Sequence, residues 1–157
     1  MNRKSFVLCL AIATGVVSCN SSTESESGLI GSWISTESLS PSGHMTTQLS
    51  FAGDGTFTDA IRTFGVYPGQ SRNDLSSYTI MSGTYTTDGD QLESNVSRVE
   101  TWDRFHGADS PPTVRNVNTT VFDQGRFRIS GFSLTLDYLT FPADAPVPTT
   151  KAFIRTN

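Results

Sequence analysis

The chain has 157 residues with ten Phe, four Tyr and two Trp, and 17% of its residues are charged, a composition that predicts one ordered globular domain. The formal net charge of −4 argues against nucleic acid as a partner. Both cysteines, Cys9 and Cys19, lie within the first twenty residues, so the rest of the chain has no thiol for a disulfide, a redox pair or a zinc site.

The first 18 residues have the three parts of an export signal. Arg3 and Lys4 form a positive end, and residues 6–17 form an apolar stretch that is too short to span a bilayer comfortably. The sequence Val16-Val17-Ser18-Cys19 then resembles the bacterial lipobox, in which the cysteine is lipidated and becomes the new first residue. We therefore predict a lipoprotein signal peptide over residues 1–18 and lipidation of Cys19.

The lipidated cysteine predicts a membrane-anchored protein of the cell envelope, with the lipid bilayer as a partner, because several acyl chains give stable anchoring. Asn20 follows the cysteine where Asp would favour the inner membrane, so the outer membrane is expected in a Gram-negative source. Residues 19–28, the lipidated cysteine and a run of small polar residues, predict a flexible tether. Residues 29–157 then form the folded domain.

From residue 29 onward the apolar residues alternate with a period of two, and turn residues recur at short intervals, as in β-strands. Asp-Gly pairs at 54–55 and 88–89 predict tight hairpins. The predicted strands cover residues 30–38, 45–51, 56–64, 78–85, 91–105, 113–122, 126–129, 133–140 and 151–156. We predict an all-β, antiparallel, up-and-down barrel of eight to nine strands, because closure removes exposed sheet edges; a two-sheet sandwich is the alternative.

Two segments at the ends of this region carry a family resemblance. Leu29-Ile30-Gly31-Ser32-Trp33 resembles the Gly-x-Trp signature of lipocalins, and Phe153-Ile154-Arg155 resembles their closing strand. Residues 51–57, 82–92 and 129–136 are similar to the compact lipocalin-like domains of bacterial lipoproteins. The resemblance implies that Trp33 plugs the closed end of the barrel, that Gly31 allows close backbone approach, and that Arg155 lies across the indole.

The resemblance also implies that a small, mostly apolar molecule is bound or sequestered inside the barrel. An eight-stranded barrel is just wide enough to be filled by side chains or to hold one small ligand. The alternative is therefore a filled barrel that acts as a protein-interaction or inhibitor module in the envelope.

Candidate ligand residues lie on the fifth predicted strand. Without a bulge, the alternation turns Arg98, Glu100, Trp102 and Arg104 toward the interior. With a bulge, the phase reverses, so that Val99, Thr101 and Phe105 face inward and the charges are solvated; the sequence leaves both phases open. Further candidates for the wall are Arg115, Tyr85 and Tyr138.

The long loop over residues 65–77 is the other candidate contact region, since loops of this length are uncommon without a function. Tyr67 and Arg72 are its candidates for covering a barrel mouth or meeting a protein partner, and a plain solvated connection is the alternative.

Motifs of catalysis and of cofactor binding are missing from the sequence. It has no Gly-x-Ser-x-Gly elbow, phosphate loop or dinucleotide fingerprint, and His44 and His106 lie apart in predicted loops. We predict that the protein is not an enzyme and that it needs no cofactor or metal.

Overall fold

A computed structural model describes residues 28–39, 43–142 and 145–156. The predicted signal peptide, Cys19 and nearly all of the tether lie outside the described residues. Among the described residues, no helix has the length and apolar character needed to cross a membrane.

The described residues form nine strands and one short 3₁₀ turn, which confirms the all-β prediction. In chain order the strands are β1 (Gly31–Ser38), β2 (His44–Phe51), β3 (Thr56–Phe64), β4 (Leu75–Asp88), β5 (Gln91–Asp103), β6 (Thr113–Thr119), β7 (Asp123–Ser130), β8 (Ser133–Thr140) and β9 (Val147–Thr156). The 3₁₀ turn, Arg104–His106, follows β5.

Eight of the strands close into one antiparallel barrel, so the sandwich alternative is wrong. The ring runs β1-β2-β3-β4-β5-β7-β8-β9, and it closes where β9 pairs with β1 through Arg155 and Trp33. β6 is an additional strand, which pairs with the second half of β5 from Val96 to Thr101. The first residues of β5, Gln91 and Leu92, pair with β7 instead.

Local chemistry explains how the hairpins form. At the β2–β3 turn, the Asp54 carboxylate accepts hydrogen bonds from the backbone N–H of Thr56 at 3.0 Å and from its hydroxyl at 2.6 Å. Gly55 adopts a φ of +80°, which a residue with a side chain rarely adopts. Because β2 and β3 then pair in register from Phe51 and Phe57, alternate residues of both strands face the barrel interior.

A bulge in β5 decides which residues of that strand face inward. The pairing shifts between Ser82 and Gly83 on β4 and between Val96 and Arg98 on β5, so Val96 and Val99 both pack toward the core. Gly83 allows this shift, because a Cβ at that position would lie 1.9 Å from the carbonyl oxygen of Asn95. The phase with a bulge is therefore the one that the structure adopts.

One end of the barrel is filled by apolar side chains. Trp33 is fully buried, and its Nε1 donates a hydrogen bond to the Leu29 carbonyl at 2.9 Å. The guanidinium of Arg155 lies 4.3 Å from the indole centroid and donates to the carbonyls of Gly28 and Ile30. Gly31 has a φ of +133°, and a Cβ there would lie 3.1 Å from the guanidinium. These contacts seal the end of the barrel where the described chain begins.

The core that fills this end is continuous. Its buried members are Leu29, Trp33, Leu49, Phe51, Phe57, Tyr85, Leu92, Val96, Phe122, Phe127, Leu134, Leu136 and Phe153.

Candidate functional site at the open end of the barrel

On several strands, the inward-facing side chains beyond the packed core are more exposed toward the opposite end of the barrel. On β1, Trp33 is buried, Ser35 is half-buried and Glu37 is exposed; on β9, Phe153 is buried and Thr149 is half-buried. Several other inward-facing residues of this half are also only half-buried, namely Met45, Ile61, Thr63, Met81, Val99, Tyr138 and Thr140, whereas Thr47 on β2 is buried. The barrel is therefore packed with side chains at one end and accessible to solvent at the other, which we call the open end.

Asp59 lies between the packed core and the open end. It is only 4% exposed, and it pairs across the sheet with two apolar neighbours, Leu49 on β2 and Met81 on β4. Its Oδ1 atom is buried and has no hydrogen-bond partner among the residues that the structure describes. A buried acceptor without a donor costs about 1–3 kcal/mol of stability, so this oxygen stands out as one that a ligand atom would satisfy.

The surroundings of Asp59 change its ionisation. Burial raises the pKa of the Asp59 carboxyl from 3.8 to about 6, and the positive charge of Lys151 acts in the opposite direction. The raised value means that this carboxyl titrates just below neutral pH rather than in strong acid.

Lys151 on β9 is the cation nearest this site. Its Nζ lies 2.7 Å from the Glu37 carboxylate and donates a hydrogen bond to the Thr47 hydroxyl at 2.9 Å. The Lys151 side chain is 17% exposed, so its charge is partly withdrawn from water while it remains paired. The ammonium group is thus already engaged by β1 and β2.

Tyr138 on β8 completes the site. Its ring packs edge-on against Phe122, with centroids 5.4 Å apart, and it contacts the core. Burial, followed by the charges of Asp59 and Glu37, raises the pKa of the Tyr138 hydroxyl, so it stays protonated near neutral pH. Of the predicted wall residues, Tyr138 is the one that the structure brings close to Asp59 and Glu37.

The β5 candidates lie on the outer face of the barrel and do not line its interior. Glu100 accepts a hydrogen bond from the Tyr78 hydroxyl at 2.9 Å and pairs with Arg98 at 2.7 Å. The Trp102 ring lies beside that of Tyr78, with centroids 5.9 Å apart, and its Nε1 donates to Ser110. The inward orientation expected without a bulge is wrong for these residues, because the bulge moves Val99 inward and its neighbours outward.

Three other predicted residues have different surroundings. Arg104 belongs to the exposed 3₁₀ turn after β5 and not to a strand. Arg115 lies on β6 opposite Val99, on the inward side of the extra strand, and is exposed. Tyr85 is buried in the core of the closed end, where its hydroxyl donates to the Ala52 carbonyl at 2.9 Å.

The predicted loop is shorter than expected, since β4 already begins at Leu75. Tyr67 anchors it: its hydroxyl donates to the Asp103 carboxylate at 2.6 Å, and its ring lies 6.5 Å from that of Phe105. Arg72 is exposed. Tyr67 thus ties this loop to the end of β5.

The described surface has several clefts, including two larger ones. One of about 540 Å³ lies where β5 and β7 diverge, beside Glu93, Ser94 and Asp123. The other, of about 330 Å³, lies beside Trp102 and His106. Within the described part of the chain, no group of three or more His, Cys, Asp or Glu side chains is placed to hold a metal ion.

Sequence reasoning missed Asp59, Lys151, Glu37 and Thr47. One signal was available: Asp59 interrupts the inward series of β3 between Phe57 and Ile61, and a carboxylate within an apolar face is unusual. The neighbours on β1, β2 and β9 have no such local signal, because their proximity depends on pairing between strands: β1, β2 and β3 pair as consecutive strands, and β9 joins them when the barrel closes.

Comparison of the chain with protein-family models gave no match, and comparison with curated proteins gave no match either.

Proposed function

We propose that this protein is a lipocalin-like lipoprotein, anchored in the cell envelope through Cys19, that binds a small, mostly apolar ligand in the open half of its barrel. The observation that carries the proposal is the gradient of exposure. The inner wall of the barrel is sealed around Trp33 at one end and accessible around Tyr138 at the other.

The composition of the open half supports this function. Its inward-facing side chains are mostly apolar or hydroxyl-bearing, and a single small polar group, Asp59 with Lys151, lies at its base. Ligand sites in proteins commonly combine apolar walls with a few polar groups that orient the ligand. An eight-stranded barrel has room for one small molecule when its core does not fill it.

A fluorescence titration tests the ligand site. We expect the uncharged probe N-phenyl-1-naphthylamine to bind the protein with a rise in emission, and Ile61→Trp to weaken this binding at least about tenfold. Ile61 faces the interior opposite Thr47, so an indole there fills the open half.

The matched control is Arg62→Trp on the same strand. Arg62 lies on the outer face, where it contacts Gln48, so its replacement should leave probe binding within about twofold of the unmodified protein. An equal loss of probe binding in both variants, or no binding of the probe to the unmodified protein, contradicts the proposal. Either result favours a filled barrel that contacts proteins.

Membrane attachment has its own test. Cys19→Ser is expected to move the protein from the membrane fraction to the soluble fraction, because the variant has no thiol to acylate. Cys9→Ser, which changes the other cysteine of the chain within the predicted signal peptide, should leave the protein in the membrane fraction. Fractionation followed by immunoblotting measures both, and an unchanged distribution of the Cys19 variant contradicts the anchor.

A further inference from the structure

We infer that the ligand of the open half carries a protonated amine that pairs with Asp59, attached to an apolar body. This inference rests on the proposed function, since it names the ligand class for the same site.

The first argument is the unsatisfied acceptor. Asp59 is 4% exposed, faces the interior between Leu49 and Met81, and its Oδ1 has no hydrogen-bond partner among the described residues. An amine is a donor, and a charged donor makes the stronger hydrogen bond with a carboxylate. Asp59 lies where the packed core meets the open half, so its carboxylate is the buried acceptor nearest to a ligand that occupies the open half.

The second argument is the charge balance of the groups that face Asp59. Glu37 on β1 and Lys151 on β9 neutralise each other at 2.7 Å, and the Lys151 ammonium also donates to Thr47 on β2. Tyr138 on β8 is uncharged near neutral pH, and β4 contributes the apolar Met81. Arg115 on β6, opposite Val99, is exposed to solvent. Among the buried and half-buried groups, ionised Asp59 therefore carries the one unpaired negative charge, which a cationic ligand neutralises and an anionic ligand does not.

The walls above Asp59 determine the rest of the ligand. Met81, Val99 and Tyr138 are only partly buried and pack against the core from three different strands. Ile61, two residues beyond Asp59 on β3, is also half-buried. A linear or aromatic hydrocarbon body covers these side chains while its amine contacts the carboxylate, so we expect an amphiphilic amine rather than a polyamine.

The ionisation of Asp59 makes the inference testable by pH. Because burial raises its pKa to about 6, the carboxyl is mostly protonated at pH 5 and mostly ionised at pH 7.5. An ammonium ion pairs with the ionised form, so its affinity should rise by about tenfold between these pH values. The affinity of an uncharged alcohol of the same shape should change less than about twofold.

The experiment is a competition against N-phenyl-1-naphthylamine with 2-phenylethylamine and its isosteric partner 2-phenylethanol. On the unmodified protein we expect the amine to compete at least about tenfold better than the alcohol at pH 7.5, and to lose most of that advantage at pH 5. Asp59→Asn should remove the advantage of the amine over the alcohol at both pH values, and it should still bind the fluorescent probe. Asp137→Asn, which changes a carboxylate on the outer face that pairs with Arg128, should behave like the unmodified protein.

The outcomes separate the two proposals. Equal competition by amine and alcohol on a protein that binds the fluorescent probe overturns the amine inference and leaves the proposed function intact. Absence of probe binding overturns the proposed function and the inference with it. Because the comparison on the unmodified protein needs no variant, a folding defect in Asp59→Asn does not affect the decision.

Discussion

Trp33→Ala is expected to lower the free energy of unfolding by about 3 to 5 kcal/mol, the usual range for removing a fully buried tryptophan. The indole has no exposed surface, and its Nε1 hydrogen bond to Leu29 disappears with it. Arg155 also loses the ring beneath its guanidinium, which remains bonded to the carbonyls of Gly28 and Ile30 just before β1. Since small domains are stable by only about 5–15 kcal/mol, this change removes a large part of the total.

Urea denaturation followed by circular dichroism measures this loss, and the second tryptophan provides the control. Trp102 is half-buried on the outer face of β5, so Trp102→Ala should cost less than about 2 kcal/mol. Trp33→Phe keeps an aromatic ring, so its loss of unfolding free energy should lie between those of the two alanine variants. This variant gives a measurable value even if Trp33→Ala does not fold. Equal losses in Trp33→Ala and Trp102→Ala would show that the indole of Trp33 does not close the barrel.

Asp59→Asn is expected to change how stability depends on pH. Folding raises the pKa of this carboxyl from 3.8 to about 6, so between these values the folded protein holds a proton that the unfolded chain has released. Stability therefore falls as the pH rises through this window, and the full difference corresponds to about 3 kcal/mol. Asparagine does not titrate, so the variant should lack this loss and be more stable than the unmodified protein at pH 7.5.

The measurement is a set of urea midpoints from pH 4 to pH 8 for both proteins. We expect the urea midpoints of the two proteins to be similar near pH 4 and to separate as the pH rises to about 7, where Asp59→Asn has the higher midpoint. Asp54→Asn is the control, because hydrogen bonds from Thr56 lower the pKa of that exposed carboxyl below 3.8, outside the window. Parallel curves for the unmodified protein and Asp59→Asn would contradict the assignment.

The two effects act in opposite directions on the same barrel. Trp33 stabilises the fold at the closed end, whereas ionised Asp59 destabilises it near the open end. A buried carboxylate with an unsatisfied oxygen is costly to stability, and sites that bind ligands commonly carry such a cost. This contrast between the two ends agrees with the proposal of a ligand site at the open end.

The sequence by itself determined the fold class and most of the strands, because the information for both is local. β3 (Thr56–Phe64) and β8 (Ser133–Thr140) have the predicted bounds. In each case turn residues end a run that alternates with a period of two, and that alternation follows from the geometry of a single strand. The residues that close the barrel, Trp33 and Arg155, were also named from short motifs.

Strand ends that depend on pairing with a neighbouring strand were predicted less well. β9 begins at Val147 and not at residue 151, because it continues its pairing with β8 through Pro148 opposite Leu139. β7 begins at Asp123 and not at residue 126, so it includes Asp-Gln-Gly, residues that are typical of turns, and its pairing with β8 is irregular over this stretch. Turn residues can be accommodated in a strand at such an irregularity.

Only the tertiary structure decided the phase of β5 and the composition of the polar site. The bulge beside Gly83 arises from the fit between two strands, and it reverses which residues face inward from Arg98 onward. Asp59, Glu37 and Lys151 are distant in sequence and come together only when β9 pairs with β1 and closes the ring. Local patterns report which residues alternate, whereas register and closure depend on contacts between strands that no local pattern contains.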